Sequence, residues 1–189
     1  PRGLELLALN TDVQALSRIG SVVTFALGPE TTSGMGSGGN PDLGRKALRE
    51  SQEQVRQLLE ETDLVFITAG MGGGTGTGAA PMVAEMARKQ GALTVAVVTR
   101  PFSFEGSLRT EVADRGIQQL QQKVDTLITV ENDRLLSSLD GNVSLDKAFR
   151  LADEVLRQGV QGISEIVNAP GIINVDFADL KAVMGNGGL

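Results

Sequence analysis

Between positions 70 and 78 the chain carries six glycines in nine residues: Gly70, Gly72, Gly73, Gly74, Gly76 and Gly78. Glycine loses more backbone freedom on ordering than any other residue, so a run this dense belongs in a turn rather than inside a regular element. Its flanks say which turn. The residues at 64–68, including Val65, Phe66 and Ile67, form a short apolar stretch suited to a buried strand. The residues at 81–90 place Met82, Val83, Met86 and Ala87 on one helical face, behind Pro81. A strand, a glycine turn and a helix in that order make an anion site, because main-chain N–H groups approach a phosphate with no Cβ in the way and the helix dipole favours negative charge. Thr75 and Thr77 add hydroxyl donors. A flexible Gly/Thr linker has the same composition, but it joins exposed segments and these flanks are apolar.

Two other phosphate motifs compete. The Walker pattern is absent, because no lysine follows the glycines until Lys89. The dinucleotide pattern occurs as Gly74, Gly76 and Ala79, but the next strand, 93–99, carries no acidic residue for a ribose. A dinucleotide-binding oxidoreductase is therefore the disfavoured alternative.

Composition narrows the chemistry further. At 189 residues and 41% hydrophobic content the chain supports one compact domain. No apolar run approaches the roughly 18 residues of a membrane span and no signal-peptide pattern opens the chain, so a cytoplasmic setting is expected. The chain has no cysteine and no histidine, which excludes disulfides, thiolate metal sites and imidazole as ligand or general base. Formal charge is −6 with acids and bases interspersed, leaving no basic stripe for nucleic acid. An anionic nucleotide still fits, since glycine amides, a helix dipole and Mg²⁺ supply local positive potential.

Apolar strands at 4–9, 22–27, 64–68, 93–99 and 126–130 alternate with helices at 12–18, 41–61, 81–90 and 108–124, which predicts an α/β fold with a mostly parallel sheet. A short helix at 134–139 and a long one at 145–167, N-capped by Ser144, follow. The stretch 28–40, with five glycines after a strand and before Pro41, is a second candidate phosphate loop.

The glycine run at 72–78, Asn10-Thr-Asp12, Asn174-Val-Asp176 with Asp179, and the segments 98–106, 131–135 and 158–163 resemble, in order and spacing, the FtsZ family of tubulin-like division GTPases. The resemblance covers essentially the whole chain. It implies a Rossmann-like three-layer tubulin/FtsZ GTPase domain with a long central helix at its C-terminal end. It also implies binding of GTP and GDP, with Mg²⁺ carried by the nucleotide and no metal site of the protein's own. Gly72, Gly73, Gly74, Thr75, Gly76, Thr77 and Gly78 would hold the phosphates, and Gly36, Ser37, Gly38, Gly39 and Asn40 would close over the terminal one. Asn10 would lie against the nucleotide, Glu105 would bind ribose, and Arg109 would approach sugar or phosphate. Asn132 and Asp153 would read guanine, and Phe149 would stack on it. A carboxylate suits that reading, since it accepts two parallel hydrogen bonds from the guanine N1–H and amino group.

Each residue also has a plainer reading. Phe149 fits a helix core, Asp153 a solvated helix face, Glu105 with Arg109 an ion pair at a helix start, and Asn10 and Asn132 turn or cap positions. Asp176 and Asp179 would cap a helix, or, by the resemblance, act with Asn174 as the catalytic loop on the nucleotide of the next subunit in a head-to-tail filament. The family has one further strand before these, between the strands at 4–9 and 64–68, and a second domain after them. The chain is accordingly expected to be a piece of a longer protein: a GTP-binding domain at 1–167, and at 168–189 a catalytic-loop segment with the start of the following helix. Partners would be other copies of the chain and division-ring accessory proteins, with membrane contact only through anchors, at mid-cell or in a plastid stroma. A non-hydrolysing structural or regulatory relative is the remaining alternative.

Overall fold

The computed structural model describes residues 5–20, 22–137 and 144–168. Its elements run in the order β1 (Leu7–Asn10), α1 (Val13–Ser17), β2 (Val23–Ala26), α2 (Pro29–Thr32), α3 (Pro41–Glu50), α4 (Gln52–Leu58), β3 (Leu64–Gly70), α5 (Thr75–Lys89), β4 (Leu93–Arg100), a 3₁₀ turn (Ser103–Glu105), α6 (Ser107–Gln121), β5 (Thr126–Glu131), α7 (Asn132–Ser137) and α8 (Leu145–Asn168). The expected α/β alternation is present, and every strand pairing is parallel. β1 pairs with β2 in one sheet, and β3, β4 and β5 form a second in that order.

β4 explains the layering. Every residue from Leu93 to Thr99 is buried, as expected for a parallel strand covered on both faces. Side chains alternate across a strand, so neighbours serve different layers. Ala96 and Val98 belong to the core that includes Ala84 and Ala87 of α5 and Leu120 of α6. Val97 points the other way, where a Cβ added at Gly159 of α8 would stand 3.3 Å from its Cγ1. Helices therefore cover both faces of the sheet, with α8 as the second outer layer.

Caps set several boundaries. Asp12 accepts from the N–H groups of Gln14 and Ala15 to start α1, Asn40 accepts from Asp42 and Leu43 to start α3, and Ser144 accepts from Lys147 to start α8. At the start of β4, the carboxylate of Asp125 accepts from both the N–H and hydroxyl of Thr94 and locks the start of β5 to the middle strand.

Three sequence expectations are corrected. The helix after the glycines starts at Thr75, not at Pro81, which lies inside it. Glycine in a helix costs about 1 kcal/mol relative to alanine, and packing overrides that here: a Cβ on Gly78 would fall 2.1 Å from the Pro41 carbonyl oxygen, so only glycine lets α5 lie this close to α3. The single helix expected at 41–61 is two, broken at Ser51, whose buried hydroxyl accepts from Gly28 N–H at 2.9 Å. The loop 28–40 holds the short α2, whose N-terminal N–H groups at Glu30 and Thr31 donate to Glu50. Those bonds, with the hydroxyl of Thr31 foremost, hold the Glu50 carboxyl below its ordinary range.

Candidate functional site

The two glycine-rich loops follow the C-terminal ends of β2 and β3, and the first is tied to the end of β1 by the bond from Gly36 N–H to the Thr11 carbonyl. Between them opens a cavity of about 700 Å³, lined by Ser37, Gly38, Gly39, Gly72, Gly73, Gly74, Thr75, Gly76, Glu105, Leu108, Arg109 and Val112. That volume is in the range of a pocket for a molecule of nucleotide size.

The sequence treats the six glycines alike, whereas the fold divides them. A Cβ on Gly74 would meet Ser37 Oγ at 2.2 Å, one on Gly72 the Arg109 carbonyl oxygen at 2.7 Å, and one on Gly76 the Gly70 carbonyl oxygen at 2.9 Å. With Gly78 these are packing glycines, which let backbone approach backbone. Gly38, Gly39 and Gly73 meet nothing within 4 Å, and all three line the cavity. Gly38 and Gly39 also hold positive φ, 55° and 76°, where other residues are strained.

The amides divide in the same way. Met71 N–H donates to the Thr99 carbonyl, and Gly72 N–H to Thr77 Oγ1 at 2.9 Å. Gly78 N–H makes the first helical bond, to Gly74 O. The N–H groups of Gly74, Thr75, Gly76 and Thr77 are the orphan donors of the α5 N-terminus, and a fifteen-residue helix stands behind them. Thr77 is 3% exposed and braces the loop from inside, so its hydroxyl does not face the cavity as the sequence suggested. Thr75 does, and its Oγ1 lies 2.6 Å from Thr11 Oγ1 and 3.1 Å from Ser37 Oγ.

Glu105, ending the 3₁₀ turn, and Arg109, in the first turn of α6, both line the cavity. They form the ion pair that their spacing allows, Nη1 to Oε2 at 3.2 Å, while Glu105 Oε1 accepts from Phe102 N–H. Arg100 anchors the same wall from below, pairing with Asp114 of α6 and with Glu131 of β5.

A second cluster borders this wall. Phe102 is fully buried and stacks on Phe104 at 4.9 Å, and Phe149 of α8 meets both edge-on at 5.3 and 6.3 Å. Phe149 stays 43% exposed, so part of its ring is uncovered. Asp133 accepts from Ser103 N–H and ties the start of α7 to this loop. Asn132, beside it, is 5% exposed, and its Oδ1 has no hydrogen-bond partner among the described residues. Asp153 lies exposed one turn beyond Phe149. Asn10 ends β1, its side chain accepting from Asp12 N–H and its carbonyl from Leu27 N–H. Asn10, Asn132, Phe149 and Asp153 are not part of the cavity lining. Asn174, Asp176 and Asp179 lie outside the described residues.

Sequence reasoning missed Thr11, Leu108 and Val112. Thr11 was legible only as the middle of Asn10-Thr-Asp12, and the two apolar residues as ordinary helix positions.

Among known proteins, the cell division protein FtsZ of Pseudomonas aeruginosa is 54% identical over 187 residues, 99% of this chain and 48% of that protein. The same protein of Pseudomonas putida is 53% identical over 187 residues, 99% of this chain and 47% of that protein. The chain thus spans about half the length of the curated relatives it matches. A solved structure of an FtsZ W319Y mutant from M. jannaschii superimposes with a TM-score of 0.91 at 48% identity, over 96% of this chain and 55% of that one. CetZ2 from Haloferax volcanii, in a GTPγS-bound protofilament, gives 0.80 at 25% identity, over 98% and 55%. The family model described as the Tubulin/FtsZ family, GTPase domain, matches residues 3–140, and the chain belongs to that family.

Proposed function

We propose that this chain is the nucleotide-binding part of a GTP-hydrolysing, self-assembling filament protein of cell division. The observation that carries the proposal is the convergence of the orphan N–H groups of α5 and the unobstructed faces of Gly38, Gly39 and Gly73 on one cavity of about 700 Å³. Amides and a helix dipole in that arrangement favour a polyanion. The run 72–78 and the loop 36–40 hold the phosphates. Glu105 and Arg109, on the same cavity, take the ribose and the sugar–phosphate junction, and Asn10 flanks the nucleotide.

Asn132, Phe149 and Asp153 read the base. A buried acceptor without a partner at Asn132 Oδ1 and uncovered ring surface on Phe149 both suit a guanine, and Asp153 supplies the carboxylate for its N1–H and amino group. Mg²⁺ enters with the phosphates, since it keeps most of its waters and is held mainly by phosphate oxygens. Phosphoryl transfer depends mostly on positioning and charge neutralisation, which a chain without histidine supplies. Asn174, Asp176 and Asp179 act on the nucleotide of an adjoining copy, where the carboxylates orient the attacking water. The division into a nucleotide-binding unit at 1–167 and a catalytic segment at 168–189 follows from that reading. So do assembly with other copies and accessory proteins, a place in the cytoplasm at the division site, and membrane contact only through anchors. Among the described residues no helix is long and apolar enough to cross a membrane.

Titration with fluorescent GTP, ATP and NAD in Mg²⁺ buffer tests the proposal. GTP preference is expected, NAD preference would favour an oxidoreductase, and binding of none of the three would reject the nucleotide reading.

A further inference from the structure

Thr11 holds more of the site together than its place in the sequence suggests. It follows the last residue of β1 and is 1% exposed. Its carbonyl accepts from Gly36 N–H at 3.1 Å and from the Thr32 hydroxyl at 3.3 Å, which ties the loop 33–40 to β1. Its hydroxyl reaches across to Thr75 Oγ1 at 2.6 Å, and Ser37 Oγ reaches the same atom at 3.1 Å. Three hydroxyls from three separate segments thus meet at the N-terminus of α5.

Burial decides which way the protons run. Each hydroxyl has one proton to donate and two lone pairs to accept with. Thr11 Oγ1 has Thr75 as its one hydrogen-bond partner among the described residues, so if Thr75 donated to it the Thr11 proton would be left buried and unsatisfied, which is disfavoured. Thr11 therefore donates and Thr75 accepts. Thr75 then either accepts from Ser37 as well and turns its own proton to the cavity, or donates to Ser37, whose proton turns there instead. Both residues line the cavity, and in both arrangements one O–H emerges into it. Hydrogen bonds in such a chain polarise one another, so the emerging donor is strengthened by the buried one.

We propose that Thr11 is a positioning residue for the phosphate-binding cavity: its buried hydroxyl fixes the direction of a Thr11–Thr75–Ser37 relay that presents one hydroxyl proton to a nucleotide phosphate. The inference rests on the nucleotide reading above. Thr11 is not part of the cavity lining and acts through Thr75, which distinguishes it from the residues assigned to the nucleotide.

The test is GTP titration in Mg²⁺ buffer of the wild type, Thr11→Val, Thr11→Ser, Thr75→Val and the Thr11→Val/Thr75→Val pair, with thermal unfolding of each. Thr11→Val keeps the branched shape and should bind GTP about fivefold more weakly, as for loss of one ordinary hydrogen bond. Thr11→Ser should stay within about twofold of wild type, by the same reckoning. In the Thr75→Val background Thr11→Val should add nothing, because the relay is already broken. If Thr11→Val fails to fold, Thr11→Ala replaces it with the same expectations. Losses that multiply in the double variant, or a Thr11→Ser protein that binds as weakly as Thr11→Val, would assign Thr11 a packing role only. Absence of GTP binding in the wild type would instead sink the nucleotide reading and the relay with it.

Discussion

Gly78→Ala and Gly73→Ala should separate packing from binding within one glycine run. A Cβ at position 78 would stand 2.1 Å from the Pro41 carbonyl oxygen and 2.8 Å from the Arg45 nitrogen. Both are backbone atoms, so no rotamer change relieves the contact, and α3 must separate from α5 by about 1 Å to restore ordinary van der Waals spacing. Overpacking of this kind costs about 1 to 3 kcal/mol, and contact with backbone puts this case at the upper end. Alanine returns up to about 1 kcal/mol through its helix propensity. The net loss is about 2 kcal/mol, or about 4 to 8 °C in Tm for a chain this size. At Gly73 a Cβ meets nothing within 4 Å, and this residue is not among the glycines with positive φ. Gly73→Ala should therefore keep the wild-type Tm to within about 2 °C, since surface changes cost within about 0.5 kcal/mol, while its methyl group projects into the cavity and weakens GTP. Thermal unfolding by circular dichroism, paired with nucleotide titration, reads both effects. A Gly78→Ala protein as stable as wild type, or a Gly73→Ala protein that binds GTP normally, would refute the division of the glycines.

Thr77→Val should lower stability by about 1 to 3 kcal/mol in urea, because it leaves Gly72 N–H buried without its acceptor, whereas Thr77→Ser should not. Glu50 has a carboxyl held below its ordinary 4.5, chiefly by the Thr31 hydroxyl and then by Glu30 N–H. A depressed carboxyl stabilises the folded state above its unfolded value and loses that contribution as pH falls through its own lower one, so in an NMR titration the amides of Glu30 and Thr31 should move with a midpoint under 4.5. A midpoint at or above that value would show that the carboxylate does not cap α2. Asp179→Ala should leave GTP affinity near wild type and remove most turnover of assembled protein, and unchanged hydrolysis would reject the catalytic role proposed for this loop.

Residues close together in the chain determined much of this protein by themselves. The apolar stretch of β4, buried on both faces, announces a parallel sheet, and the spacing of Met82, Val83, Met86 and Ala87 announces the helix beside it. The glycine run marked the turn between β3 and α5 for the same reason, since strand, turn and helix are adjacent in sequence. What only the tertiary structure decided were relations across long separations. Gly78 is helical because Pro41 packs on it, Ser51 breaks a helix because Gly28 donates to it, and Thr77 turns inward because Gly72 needs an acceptor. Thr11 and Thr75 are 64 residues apart, and no local pattern brings their hydroxyls together. Local periodicity records which face of an element is apolar, but it carries no record of what that face meets. A backbone contact that excludes a Cβ, or a buried donor that needs one particular acceptor, exists only once the layers have closed.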